Sequence, residues 1–253
     1  MTTSNLWIRA GLAVMLPALA LCQILGVRAS QRAVYKPPGT EATVTGAVGF
    51  VGQPPEMKRI DMGQDPVCTH LSERSTLQDV VVNDGRLANV FVYVKGQGID
   101  SYAFTTPSNE VALAHTGCQL SPRVLGIQTG QTLAVYNLDP TTHNTHPEPT
   151  RNPEWNLSQA PGSVPLLKQF YRAEVLFPVK CNQHPWEKAY LAVLDHPFFA
   201  VTGADGSFKI EGLPPAEYDF VAWHEKFGEQ RAKISLLPHE SLTQDISFRP
   251  GDS

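Results

Sequence analysis

An all-β architecture is the fold class this sequence predicts, and three observations predict it. The 253-residue chain holds 21 prolines and 19 glycines, which interrupt it too often for long helices. No apolar pattern of helical period runs beyond about ten residues. Short runs of alternating β-formers, by contrast, recur from Thr43 to Trp223, bounded by Gly, Pro, Asn and Asp. The length suits one large or two small domains.

Taken in order, the chain opens on a targeting segment. Ala10 to Val27 is nearly unbroken apolar sequence behind a short stretch carrying Arg9, and it ends on Val27-Arg28-Ala29. That pattern predicts a signal peptide over residues 1–29. A retained membrane anchor is the alternative, since the run approaches the roughly 20 residues that span a bilayer. Cys22 raises lipidation, but Leu21 before it is bulkier than that modification favours. Residues 30–41, with Lys36-Pro37-Pro38-Gly39, predict a flexible linker.

Thr43 to Val51 alternates as a strand, and Gln53-Pro54-Pro55 ends it. Asp61 to His70 reads as loop. Leu87 to Lys95 is the clearest early strand, with Val90, Val92 and Val94 on one face and Phe91 and Tyr93 on the other. Residues 97–116 show no clear period. Val124 to Ile127 and Thr132 to Asn137 read as strands joined by a turn at Thr129-Gly130. The proline-rich stretch 147–167 reads as irregular. Glu174 to Lys180 alternates through Val175, Phe177 and Val179 and ends on Cys181. Ala189 to Leu194 is a further strand. Asp205-Gly206 predicts a hairpin between the runs 196–202 and 208–210, and Asp219 to Trp223 is another strand.

Charge and motifs exclude several functions. The net charge is −4, and loss of Arg9 and Arg28 with the signal segment makes the remainder more acidic. Such a chain has no electrostatic reason to bind nucleic acid, although it suits a basic redox partner. The sequence contains no phosphate-binding Gly-rich loop, nucleophile elbow, haem-attachment motif or zinc-protease motif. No small-molecule substrate and no enzyme class is therefore indicated.

The residues that carry chemistry lie at strand ends. Cys181-Asn182-Gln183-His184 places a thiolate and an imidazole one turn apart. Upstream, His143-Asn144 follows the strand ending at Asn137. One Cys and two His from separate strand ends make the His2Cys set of a blue-copper site. In order and context these residues resemble the cupredoxin family, the plastocyanin-like electron carriers. The matching motifs are Gly130-Gln131-Thr132-Leu133, Asn137-Leu138-Asp139, His143-Asn144 and Cys181 with His184, within roughly residues 86 to 195. The resemblance implies a Greek-key cupredoxin-like β-sandwich holding one type 1-like copper ion. It also implies that Asn144 ties the two ligand loops together near the Cys sulfur.

One departure matters. The family's weak axial ligand is a Met after the second His, but Met1, Met15, Met57 and Met62 all lie upstream. Glu187 stands where a downstream axial ligand would be. The alternative is that Glu187 is a solvated loop acid, with the axial position empty or filled by water or a backbone oxygen. His146 reads as a loop-surface residue, and His115, His196 and His224 lack paired ligand spacing. An oxidase would need His-x-His pairs, and the sequence has none. Setting aside Cys22, the cysteines number three. With Cys181 as the copper thiolate, Cys68 and Cys118 are left to pair in an oxidising compartment; three reduced, buried thiols are the alternative.

The tail carries a second resemblance. Thr202, Asp205-Gly206, Phe208, Ile210, Gly212-Leu213-Pro214-Pro215 and Tyr218 resemble the carboxypeptidase regulatory-like (transthyretin-like) β-sandwich, with Ala216 in place of a Gly. The tail alone has too few strands for a sandwich. The expected organisation therefore joins residues 42–96 and 196–250 in that sandwich, with a copper domain over 97–195 between them. Two domains in series, with Leu87 to Lys95 as the first cupredoxin strand, is the alternative. The functional expectation is an exported, periplasmic or extracellular, mononuclear copper protein. It would carry electrons to or from a redox partner protein through His143, Cys181, His184 and Glu187. A non-enzymatic module that stores or delivers copper, or binds a partner, is the second reading. A retained signal segment would tether it to a membrane.

Overall fold

A computed structural model describes residues 1, 32–72 and 75–252. The expected signal segment, residues 1–29, lies outside these apart from Met1. Among the described residues, no helix is long and apolar enough to cross a membrane. The described residues are all β apart from two short helices, Pro66–Leu71 and Gln97–Asp100.

The site-bearing sandwich has two sheets. One runs in the order Leu166–Gln169, Thr132–Asn137, Val111–Thr116, Gln119–Ser121. The other runs Leu157–Gln159, His143–Pro147, Glu174–Lys180, Lys188–Leu194, Val124–Gln128. Alternating apolar positions of both sheets, among them Leu113, Ile127, Leu133, Val135, Val179 and Leu191, close the core between them.

The second sandwich draws on both ends of the chain. Ala42–Phe50 pairs with Ser207–Leu213, and along it lie Ser241–Thr243 and Ile246–Phe248 in parallel. Phe91–Lys95 lies between Phe199–Val201 and Glu217–His224, and the latter forms a hairpin with Gly228–Ser235. The two faces of Phe91–Lys95 do different work. Val92 and Val94 fill the second sandwich's core. Phe91 and Tyr93 instead join Val124, Ala192, Leu194 and Val221 in a separate cluster that packs the two sandwiches together.

Several local expectations change. Residues 32–35 are tied down rather than free, because Ala33–Val34 pairs with Tyr102–Ala103 and Tyr35 packs on Tyr102 and Phe104. Pro66–Leu71 is a helix where a loop was expected; Asp65 caps it by accepting from Val67 N at 2.8 Å and Cys68 N at 3.3 Å. The Asp205-Gly206 turn forms, but its flanking strands enter different sheets, so no hairpin ladder results. In Glu174–Lys180 a register shift lies between Glu174 and Phe177, with Leu176 at φ +62°. The bulge leaves Val175 exposed, while Phe177, Val179 and Cys181 keep the buried face.

Gly126 sits where the sandwiches meet. A Cβ there would lie 2.5 Å from the Phe199 ring and 2.8 Å from the Phe91 ring, and these two rings are stacked with centroids 5.5 Å apart. Gly126→Ala is expected to destabilise the protein by about 1–3 kcal/mol through overpacking. An unchanged denaturation midpoint would show that the rings yield without cost.

Candidate metal centre

Backbone pairing brings the predicted residues to one end of the site-bearing sandwich. His146 is paired with Lys180 and Pro147 with Val179, so His143 and Cys181 lie at the same edge. Lys180 is paired with Lys188, and the loop they close carries Cys181, His184 and Glu187. Two backbone bonds set that loop: Cys181 N donates to Glu187 O at 3.3 Å, and Glu187 N to His184 O at 2.9 Å. Asn144 bridges the two ligand-bearing segments, because its Oδ1 accepts from Asn182 N at 2.8 Å and Gln183 N at 3.2 Å. Its own N–H points at Cys181 Sγ, 3.5 Å away.

His143, Cys181, His184 and Glu187 are all buried, and each offers a ligand atom within 4.8 Å of the others. The two Nδ1 atoms lie 2.9 Å apart. Cys181 Sγ is 3.7 Å from His184 Nδ1. Glu187 Oε1 is 2.8 Å from His143 Nδ1 and 3.0 Å from His184 Nδ1. It is sealed from solvent, yet no hydrogen bond is aligned on it. Two imidazole nitrogens, a sulfur and a carboxylate oxygen converging in a dry site fit a cation. Glu187 is thus no solvated loop acid.

The far nitrogen of each ring has its own acid. His143 Nε2 is 3.1 Å from Asp139 Oδ2, and His184 Nε2 is 3.0 Å from Asp65 Oδ2. Both carboxyls sit below the usual range: burial opposes this, but hydrogen bonds from the rings, the backbone and, for Asp65, the Thr141 hydroxyl outweigh it. Burial would push His143 down, but Asp139, Cys181 and Glu187 hold it up to about 11 in the metal-free protein. His184 is likewise raised to about 9 by Glu187 and Asp65 against burial. Burial opposes ionisation of Cys181, but the His143 ring and the Asn144 and His184 backbone groups draw its thiol below the ordinary value.

Cys68 and Cys118 form a disulfide spanning 50 residues, as the cysteine count predicts, and Cys181 is the free thiol. His146 stays outside the cluster, bonded to Glu154 at 2.6 Å and Asn182 at 3.1 Å. Trp186 shields the site: its ring lies 5.1 Å from that of His184, and its N–H donates to Cys118 O at 2.9 Å. Trp155 instead packs against the sandwich core.

Sequence reasoning passed over His115. It is fully buried, stacked on His143 at 4.5 Å, with Nδ1 2.5 Å from Glu187 Oε2 and Nε2 2.9 Å from Thr145 Oγ1. The available signal was alternation: Val111, Leu113 and His115 share one face of a strand, and that face is the core. Asp65 and Asp139 had no such signal, because their role depends on which loops meet.

No protein-family model and no curated protein matches the chain. Among solved structures it is similar to a copper-containing nitrite reductase from Thermus scotoductus SA-01, at 20% identity and a TM-score of 0.32. That match covers 35% of this chain and 23% of that one. A purple cupredoxin from Nitrosopumilus maritimus aligns at 21% identity and a TM-score of 0.28, over 33% of this chain and 98% of that one. An amicyanin variant in its Cu(I) form aligns at 18% identity and 0.30, over 33% and 81%. The match therefore spans less than a quarter of the nitrite reductase's length.

Proposed function

We propose that His143, Cys181, His184 and Glu187 hold one copper ion and that the protein carries electrons through it. The observation supporting this is the convergence of the two Nδ1 atoms, the Cys181 sulfur and the Glu187 oxygen in one buried site. A His2Cys set with a weak further ligand is the donor chemistry of copper electron-transfer sites, and the sequence motifs resemble those of cupredoxins. Bound copper would supply a one-electron Cu(II)/Cu(I) couple. The chain's part is to hold the donors still. Asn144 fixes the spacing of the two ligand segments, two backbone bonds fix the Cys181–Glu187 loop, and Trp186 excludes water from His184. Such preorganisation suits electron transfer, which gains from unchanging geometry.

In this reading residues 97–195 are a cupredoxin-type domain. The strands at 42–96 and 196–250 form a regulatory-like sandwich that supports it. The buried disulfide and the apolar N-terminal segment favour export to a periplasmic or extracellular space. The partner is a redox protein, met by an acidic chain.

Metal analysis and a visible spectrum of the purified protein test the reading. One copper per chain, an intense thiolate-to-copper absorption and reversible reduction are expected. Zinc in place of copper, or a colourless copper complex, would overturn it. Rapid loss of Cu(I) to a chelator without reversible cycling would favour storage or delivery instead.

A further inference from the structure

We propose that the Cys68–Cys118 disulfide is a clasp that aims both ligand imidazoles at the metal position, acting through Asp65 and Asp139 as positioning residues. The proposal rests on the metal reading above. The disulfide joins the helix Pro66–Leu71 to the turn at Gly117-Cys118. Each half-cystine holds one acid with its own backbone N–H. Cys68 N donates to Asp65 at 3.3 Å, and Cys118 N donates to Asp139 at 2.8 Å. Val67 N adds a bond to Asp65 at 2.8 Å, and Gly117 N one to Asp139 at 2.7 Å. Gly117 and Cys118 both have positive φ, +60° and +54°, which turns both N–H groups onto the one carboxylate.

The two acids then meet the two rings, Asp65 at His184 Nε2 and Asp139 at His143 Nε2. A carboxylate accepts, so each ring keeps its proton on Nε2 and offers Nδ1 to a metal. The opposite tautomer would aim an N–H at Cys181 and Glu187. Each acid also has one tie to the sandwich: Asp139 N donates to Asn137 Oδ1 at 3.0 Å, and Asp65 accepts from the Thr141 hydroxyl at 2.9 Å. The backbone N–H bonds come from the clasp. Cys68 is the helix's buried residue, and with Cys118 and Met62 it forms a small cluster backed by Ile60 and Trp186. Cutting the disulfide loosens the helix start that holds one acid and the turn that holds the other. Partners of this kind are worth about 10–100-fold in metal affinity.

Cobalt(II) binding by the full-length protein, followed by thiolate-to-cobalt absorption, tests the clasp alongside nitrogen-15 NMR of the His143 and His184 Nε2–H groups. Cys68→Ser with Cys118→Ser is expected to weaken cobalt binding about 10–100-fold and to speed exchange of both Nε2 protons with water. Asp65→Ser keeps a helix-capping hydroxyl but is too short to reach His184, so it should weaken binding and expose the His184 proton alone. Asp65→Asn still accepts from the ring and should restore both. A double Ser variant that binds cobalt as tightly as the parent and keeps both protons protected overturns the proposal. If the parent binds neither cobalt nor copper, the metal reading fails, while the Nε2 protons of the metal-free protein still decide whether the clasp positions the rings.

Discussion

Cys181→Ser is expected to abolish the visible absorption of the copper-loaded protein and, with it, copper retention. The absorption is a property of the thiolate bond to copper, and a serine hydroxyl neither ionises at neutral pH nor shares the soft character of sulfur. The loss should exceed the roughly 10–100-fold assigned to a positioning partner. The change is close to isosteric, and Cys181 is buried at a strand end, so the variant should remain folded by circular dichroism. The Cys68→Ser, Cys118→Ser protein is the contrast. It should still colour at saturating copper, because Cys181 is untouched. Colour retained in Cys181→Ser at one copper per chain would remove this residue from the ligand set.

What could be read from sequence divides along local and non-local lines. Cys181, His184 and Glu187 share one loop between adjacent strands, and the period-2 pattern before Cys181 marks its delivery. His143 follows the strand Thr132–Asn137, legible from its β-forming run though its buried positions do not alternate, but the strand His143–Pro147 that carries it was not foreseen. The disulfide came from counting thiols. The strands flanking Asp205-Gly206 were visible, but their separation into two sheets was not, because pairing partners at residues 44–47 and 91–93 lie more than 100 residues away. The role of Phe91 and Tyr93 was hidden for the same reason. Both strand faces read as apolar, and nothing local says that one faces a second sandwich. Asp65 is the extreme case, a helix cap whose second carboxylate oxygen touches a ring 119 residues further on. Val175 shows the reverse error, where the alternation was real but the bulge at Leu176 moved one residue off the face.

If the centre holds copper as proposed, Glu187 decides what kind of site it is. Its carboxylate is fully buried among three imidazoles, 2.5 Å from His115, 2.8 Å from His143 and 3.0 Å from His184. Burial alone would raise its pKa, but the three rings hold it far below the ordinary carboxylate range. In the metal-free protein that depressed acid adds stability at pH values above its ordinary 4.5, and the contribution is lost as the pH falls. His143 and His184 have the opposite sign. Their raised values, about 11 and about 9, add stability in full below 6.5, which is lost as the pH rises through them. The metal-free parent should therefore be most stable between about pH 5 and 6.5. Glu187→Gln removes the counter-charge the two rings share, while Asp139 and Asp65 stay in place, and should cost about 1–3 kcal/mol in that window. The copper-loaded protein gives the second readout. An anionic oxygen favours Cu(II), so Glu187→Met should raise the reduction potential and shift the spectrum toward that of a blue site. A stability change without any spectral change would confine Glu187 to the role of counter-ion and leave His143, Cys181 and His184 as the ligands.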